Sequence, residues 1–230
     1  MDKGRLLKVI WIAVVTIALT GTLVIGADSQ GTMTADEALK SLLDGNQRYV
    51  SNQMTGHKLC DLTTRESLAK HQKPYAIILS CSDSRVPPEI IFDKGLGEIF
   101  VVRVAGNVAD PAILGSIEYG AEHLGSPLIM VLGHERCGAV TAAVEAKGKA
   151  EGNLGSIVRA ITPAVQQARK ESARKSKPEL VETAIDDNVK LVAAALTKQS
   201  KVIEHLVAES KVKIVAAKYD LDDGKITLLK

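Results

Sequence analysis

Two short segments of the chain carry the side chains with metal chemistry: residues 81–85 read CSDSR, and residues 134–137 read HERC. Together they supply two thiols, one imidazole and one carboxylate, from Cys81, Cys137, His134 and Asp83. Thiolates and imidazole are the donors that Zn²⁺ prefers, and a tetrahedral zinc site takes four donors. Four permanent protein ligands make a structural site, whereas three leave one position for water, which is the catalytic arrangement.

Arg85 bears on the choice between these two sites, because it follows Asp83 by two residues. A carboxylate that binds the metal permanently does not need a guanidinium beside it. A bidentate guanidinium–carboxylate pair is strong when partly buried, so Arg85 can hold Asp83 away from the metal. A purely structural ion pair between the two remains the alternative interpretation.

Both segments follow apolar runs that are typical of buried parallel strands. Cys81 stands at the end of the run 75–80, and His134 comes just after the run 127–132. Cys137 opens an Ala- and Val-rich stretch, within a helix predicted over 135–147. Ligands at the carboxyl ends of two parallel strands fit the general rule for sites in open α/β sheets.

Helical and strand patterns alternate along the rest of the chain, which predicts a parallel sheet with helices on both faces. The sequence thus predicts an α/β, Rossmann-like three-layer fold with a mainly parallel central sheet and one antiparallel edge strand. The other predicted strands are 98–104, 213–217 and, after a turn at 222–224, the edge strand 225–229. The other predicted helices are 34–51 (capped by Thr34 and Glu37), 61–71, 111–124, 154–170 and 179–209, the last long enough for a break.

The N-terminal segment 1–27 has the pattern of a signal peptide. Three basic residues precede the uncharged run 9–26, and Ala27 ends a plausible cleavage site. We expect export to the periplasm or the medium; because the run is just long enough to span a bilayer, an uncleaved membrane anchor is the alternative. Residues 28–230 are then expected to form a single domain, for which a hydrophobic fraction of 46% provides a good core.

Composition argues against a nucleic-acid partner. Aromatic residues make up only 3% of the chain, which leaves few platforms for base stacking. Loss of residues 1–27 removes three basic groups and one acid, so the net charge falls from +2 to 0. The third cysteine, Cys60, leaves an odd number for an exported protein, and it is interpreted as a small buried hydrophobic residue.

From about residue 34 to its end, the chain resembles the β-class carbonic anhydrases, as an exported bacterial type. The resemblance is carried by an ordered and highly specific set of segments: 81–87 (CSDSRVP), 100–107 (FVVRVAGN), 115–119 (GSIEY), 133–139 (GHERCGA) and 219–225 (YDLDDGK). It implies zinc-dependent reversible hydration of CO₂ to bicarbonate, by attack of a zinc-bound hydroxide. By this resemblance Cys81, His134 and Cys137 are the zinc ligands, while Asp83 and Arg85 form a catalytic dyad beside the single Zn²⁺.

The resemblance also implies a substrate pocket and an assembly. Gln72, Phe100, Ala105, Tyr119 and Gly138 stand at substrate-binding positions. Part of the pocket is expected from a neighbouring subunit, so the protein should be a homodimer or a tetramer. The N-terminal helix is expected to pack across that partner.

One position departs from the family members that close their site with Asp83 as fourth ligand. Those members are expected to bind bicarbonate through a Trp, an Arg and a Tyr. This chain has Ile78 at the Trp position, although Arg103, also expected to be a buried ion-pair partner, stands at the Arg position. The departure favours an open site. Two alternatives remain: the same fold acting on another heterocumulene such as carbon disulfide, or a permanently closed, non-catalytic zinc domain.

Overall fold

Five strands form one sheet: β1 (Ala76–Ser80), β2 (Ile99–Arg103), β3 (Leu128–His134), β4 (Lys213–Tyr219) and β5 (Ile226–Leu229). Their order across the sheet is β2-β1-β3-β4-β5. The first four strands pair in parallel, and β5 runs antiparallel to β4. This arrangement confirms the predicted α/β fold with a mainly parallel sheet and an antiparallel edge.

The structure is a computed structural model that describes residues 33–56, 61–146, 152–171 and 176–230. The predicted targeting segment 1–27 and Cys60 lie outside these residues. None of the helices within the described ranges combines the length and apolar character that a membrane span requires.

Eight α-helices surround the sheet in the described part of the chain: α1 (Ala35–Val50), α2 (Leu62–Leu68), α3 (Pro88–Ile91), α4 (Pro111–Glu118), α5 (Gly138–Glu145), α6 (Leu154–Glu171), α7 (Lys177–Gln199) and α8 (Lys201–Ala208). The predicted helix 179–209 is broken at Ser200, whose hydroxyl caps α8 by accepting a hydrogen bond from the Ile203 amide. The predicted helix 111–124 ends its α-helical part at Glu118 and continues as a π-helical turn, Tyr119–His123. The short helix α3 was not predicted.

Alternate residues of the strands face opposite layers, as the period of a β-strand requires. Ile78 of β1 packs with α1, α5 and α6 on one face, while Ile77 and Leu79 pack with α4 and α8 on the other. All three side chains are fully buried. The helix α7 contributes to both clusters.

The helix α1 begins with the predicted capping box. Thr34 and Glu37 exchange hydrogen bonds at its first turn. Its apolar residues Ala38 and Leu42 are fully buried against the same chain. Only the opposite, exposed face of α1 is therefore free to meet a partner, and that part of the prediction stays a prediction.

Candidate metal centre

Three metal-ligating side chains meet at the carboxyl end of the sheet. The Sγ atoms of Cys81 and Cys137 and a ring nitrogen of His134 all lie within 4.8 Å of one another. The three residues are almost completely buried, with exposed fractions of 4%, 1% and 1%. Two thiols and one imidazole at this spacing form a donor set that fits Zn²⁺.

The strand ends bring the three ligands together. Cys81 follows the last residue of β1, and His134 is the last residue of β3, where it pairs with Tyr219 of β4. The chain then turns at Arg136, whose φ is +50°, and Cys137 is the N-cap residue of α5. The prediction of a helix from residue 135 is therefore wrong at its start, because strand pairing continues to His134 and the turn follows it.

The ring of His134 is oriented by a backbone carbonyl. Its Nδ1 lies 2.8 Å from the carbonyl oxygen of Glu135. A carbonyl can only accept, so Nδ1 carries the proton and Nε2 presents a lone pair. The buried Nε2 atom has no hydrogen-bond partner among the described residues. This nitrogen is thus left as a ligand for a metal ion.

The two sulfurs lie within 4.8 Å of each other, so the two thiols titrate as a pair. The pKa of the Cys81 thiol is lowered, first by the neighbouring Cys137 thiol and further by the Gly106 amide, which donates to the Cys81 sulfur. The pKa of the Cys137 thiol is raised, since a second thiolate beside the first is disfavoured and the site is buried. A divalent cation would remove this repulsion and hold both sulfurs as thiolates.

Asp83 is held by Arg85 in the bidentate geometry that the sequence predicts. The guanidinium donates from Nε to Oδ1 at 2.9 Å and from its terminal nitrogen to Oδ2 at 2.7 Å. The Arg85 backbone amide adds a third bond, at 3.0 Å to Oδ1. The guanidinium bonds are the main reason why the pKa of Asp83 lies well below its usual range. Oδ2 is 3.8 Å from His134 Nε2, so the carboxylate borders the ligand cluster.

Arg103 supports the loop that carries Cys81 and Asp83. Its guanidinium donates to the carbonyl oxygens of Cys81 at 3.0 Å and of Asp83 at 2.7 Å. The expectation of an ion-pair role is corrected by these contacts, in which Arg103 binds backbone oxygens rather than a carboxylate. The reason is register: Arg103 pairs with Ser80, directly before the loop.

Two of the predicted substrate-binding residues lie beside the ligand cluster. Ala105 begins a 3-10 turn whose next residue, Gly106, donates its backbone amide to Cys81 Sγ at 3.3 Å. Gly138 is the first residue of α5, directly after Cys137, and the space beside its α-carbon is open.

The other three predicted substrate-binding residues lie elsewhere in the chain. Gln72 is exposed and lies before β1, whereas Cys81 directly follows the end of β1. The length of this strand, about 16 Å, therefore separates the two residues. Phe100 and Tyr119 contact each other, with ring centroids 6.2 Å apart. Phe100 packs with the cluster on the sheet face opposite the one that contains Cys81 and Cys137. One chain alone does not bring these three residues to the metal ligands.

Two contacts from α7 to the ligand loops were missed by the sequence reasoning. Glu182 accepts a hydrogen bond from the Arg136 amide at 2.8 Å, within the turn between His134 and Cys137. Asn188 donates to the Gly106 carbonyl at 2.9 Å. The signal in the sequence is a polar residue, Asn188, among the mostly apolar residues that α7 buries, and that pattern does not reveal its contact.

The fold and the site together define a class: an open α/β sheet that carries a buried Cys-His-Cys ligand set and a neighbouring Asp–Arg pair at its carboxyl end. The family model described as carbonic anhydrase matches residues 76–226. The chain belongs to the β-carbonic anhydrase family.

Curated relatives resemble the chain over most of its length. It is 41% identical over 194 residues to a Mycobacterium tuberculosis protein named carbonic anhydrase 2, which covers 83% of this chain and 91% of that protein. It is 42% identical over 194 residues to the carbonic anhydrase of Mycolicibacterium smegmatis, with the same coverage.

Solved structures share the fold. A β-carbonic anhydrase of the fungal pathogen Aspergillus fumigatus superposes with a TM-score of 0.69 at 28% identity, covering 84% of this chain and 90% of that one. A β-carbonic anhydrase of Coccomyxa, solved with acetazolamide, superposes with the same TM-score at 24% identity, covering 83% of this chain and 86% of that one.

Proposed function

We propose that this protein catalyses the reversible hydration of CO₂ to bicarbonate and a proton, with one Zn²⁺ held by Cys81, His134 and Cys137. The observation that carries the proposal is the bidentate hold of Arg85 on Asp83 at the edge of the ligand cluster. This ion pair holds Asp83, the fourth possible donor, away from the position of the metal ion. Membership of a family whose relatives are named carbonic anhydrases supports the same reaction.

When bound at this donor set, Zn²⁺ would lower the pKa of a coordinated water and so supply a nucleophile near neutral pH. Asp83 stays ionised because Arg85 lowers its pKa, so it can only accept hydrogen bonds. By accepting from the attacking oxygen, Asp83 would orient a lone pair of that oxygen toward CO₂. Arg85 acts through Asp83 by holding the carboxylate in this position.

We also propose that the site is of the open type, with Asp83 on Arg85 at neutral pH. Ile78, at the position where closing members of the family are expected to have Trp, is fully buried inside β1. A permanently closed, non-catalytic zinc domain is the less favoured alternative, because in such a site a bidentate arginine on the fourth ligand has no role. Asp83 on zinc in a zinc-loaded crystal structure at pH 7 would overturn the open-type proposal.

We further propose that Gln72, Phe100 and Tyr119 complete the pocket of a neighbouring subunit in a homodimer or tetramer. In support, Tyr119 keeps an exposed fraction of 47% although it contacts Phe100, so its ring is available to another chain. The variant Tyr119→Asp should lower both the mass in analytical ultracentrifugation and the CO₂ hydration rate. Wild-type mass and rate in this variant would contradict the shared pocket.

Export of the protein, either cleaved after residue 27 or anchored by residues 9–26, is a separate proposal that rests on the N-terminal pattern alone. Mass spectrometry of the protein from a periplasmic or membrane fraction tests it. A cleaved chain beginning at Asp28 supports the signal peptide, a full-length chain in the membrane supports the anchor, and full-length cytosolic protein overturns both.

Stopped-flow CO₂ hydration with the zinc-loaded protein tests the catalytic proposal directly. We expect turnover above the buffer blank at pH 8 and above, which is lost when a chelator removes zinc and restored by adding it back. Rates at the blank level would overturn the proposal. Carbon disulfide hydrolysis, measured in parallel, decides between CO₂ and the alternative heterocumulene substrate.

A further inference from the structure

The amide of Gly106 provides a hydrogen bond to one of the sulfur ligands. It lies 3.3 Å from Cys81 Sγ, within the buried site. Gly106 has a φ of +72°, which residues with a side chain rarely adopt. A Cβ at this position would also approach Ile161 Cδ1 to 2.6 Å. The contact therefore depends on a glycine. Because glycine has no side chain, its backbone dihedral angles are the least restricted of any residue.

Neighbouring groups restrain this glycine by holding the peptide bond that follows it. The amide of Asn107 in that peptide donates to the Val104 carbonyl at 2.9 Å. The carbonyl of Gly106 in the same peptide accepts from Asn188 Nδ2, also at 2.9 Å. Both polar groups of this peptide are thus held in place. Val104 of the same turn binds its N–H group, and Asn188 of α7, 82 residues after Gly106, binds its C=O group.

We propose that Asn188 is a positioning residue for the metal site, which keeps the Gly106 amide directed at the Cys81 sulfur. The inference rests on the proposed function in one respect, that a metal ion occupies the Cys-His-Cys set. A hydrogen bond donated to a sulfur ligand withdraws electron density from it, which leaves the metal more electrophilic. Asn188 does not touch the ligands itself and acts through the Gly106 backbone.

A merely structural role is the alternative, because Asn188 is only 2% exposed and any buried amide needs partners. Asn46 offers a matched control for this role. It is a buried asparagine of α1 that likewise donates its side-chain amide to backbone carbonyls, those of Ile91 and Gly224. Neither carbonyl belongs to a segment that carries a metal ligand. Replacing either asparagine by leucine removes a buried donor of the same kind.

The test compares Asn188→Leu, Asn188→Ala and Asn46→Leu in the zinc- and cobalt-loaded full-length protein. Both Asn188 variants remove the donor, since neither new side chain carries an N–H or O–H group. We expect them to shift the sulfur-to-cobalt charge-transfer band, because the electron density on the sulfur changes. We also expect zinc affinity to fall about 10- to 100-fold in competition with a chelator, because the Cys81 sulfur is no longer held in position. Asn46→Leu should lower the urea midpoint while leaving the band and the affinity at wild-type values.

A measurement on the wild-type protein keeps the test independent of how the variants fold. After loading with ¹¹³Cd, the Gly106 amide proton should show a scalar coupling to the metal through the Cys81 sulfur. Absence of that coupling, or Asn188 variants with a wild-type band and affinity, would overturn the inference. A wild-type protein that binds neither cobalt nor cadmium through sulfur would overturn the metal site itself, and the inference with it.

Discussion

Asp83 has two competing partners, the metal position and Arg85, and its geometry favours Arg85. Three hydrogen bonds come to the carboxylate from this one residue, two from the guanidinium and one from the backbone amide. Oδ2 nevertheless borders the ligand cluster, 3.8 Å from His134 Nε2. If a metal ion were bound by the cluster and the guanidinium removed, the carboxylate would be placed to become its fourth ligand.

Replacing Arg85 by Ala should therefore release Asp83 to the metal and remove most of the activity. A hydrogen bond to a charged group contributes about 1.5–3 kcal/mol. Because Arg85 is half exposed and solvent weakens the pair, we expect the two bonds together to contribute about 1.5–3 kcal/mol, which is about a 10- to 150-fold fall in kcat/KM. Stopped-flow hydration at pH 8 measures the fall, and a crystal structure of the zinc-loaded variant shows where Asp83 has gone.

Arg136→Ala is the matched control for this experiment. Arg136 also makes a bidentate pair, with Asp222, and its side chain has the same exposed fraction as that of Arg85, 52%. Its partner is not part of the ligand cluster. We expect kcat/KM of this variant to stay close to wild type, and an equal loss in both variants would refute the specific role of Arg85.

At the scale of elements, α1 is docked on the sheet layer through a close backbone approach. A Cβ on Gly45 would lie 1.8 Å from the carbonyl oxygen of Phe92, which is backbone and cannot turn away. The next residue, Asn46, donates to the carbonyls of Ile91 and Gly224 from the same side of the helix. Gly45 is thus required by contact rather than by backbone conformation, since it lies within a regular helix.

Gly45→Ala should undock α1 and destabilise the protein by about 3 kcal/mol, the upper end of the usual cost of overpacking. Gly115→Ala is the control, because a Cβ there meets nothing within 4 Å in the middle of α4. That change should raise stability slightly, by about 0.5–1 kcal/mol. Urea unfolding measures both, and similar stabilities for the two variants would contradict the docking contact.

At the scale of the whole molecule, Asp93 ties together segments that are distant in the chain. Its fully buried carboxylate accepts from Arg48 Nε of α1 at 2.6 Å and from the amide and hydroxyl of Thr55. Burial opposes its ionisation, but the hydrogen bonds from Arg48 and Thr55 outweigh burial and hold the pKa of Asp93 below its usual range.

The stability that Asp93 contributes should therefore depend on pH. Since its pKa is lower in the folded than in the unfolded chain, the contribution is complete above the unfolded value of about 4 and is lost as pH falls below it. Asp93→Asn should cost about 2–4 kcal/mol at pH 7, because Arg48 loses its charged partner. The difference from wild type should narrow below pH 4.

Urea unfolding of wild type and Asp93→Asn, in steps from pH 7 to pH 3, measures this difference. Asp44→Asn serves as the control, since Asp44 is paired with Lys40 on the exposed face of α1. Its stability should follow wild type at every pH, because exposed pairs contribute little. A constant difference between Asp93→Asn and wild type down to pH 3 would contradict the interpretation.

The cluster of Cys81, His134 and Cys137 and the pairing of Asp83 with Arg85 could be predicted from the sequence because their chemistry is local. Residue types and short spacings define the CSDSR and HERC segments, and apolar runs place both at strand ends, where a parallel sheet brings them together. The alternation of apolar strands and amphipathic helices defines the fold class for the same reason, since its periodicity is carried by neighbouring residues.

Long-range contacts were decided only by the tertiary structure. Pairing of His134 with Tyr219 delays the start of α5, and the sheet places Phe100 on the face opposite the metal ligands. The contact between Asn188 and Gly106 joins residues that no periodicity relates. The hydrophobic periodicity of the sequence indicates which face of a helix or strand is buried. Which atoms meet across an interface depends on how all the helices and strands pack together.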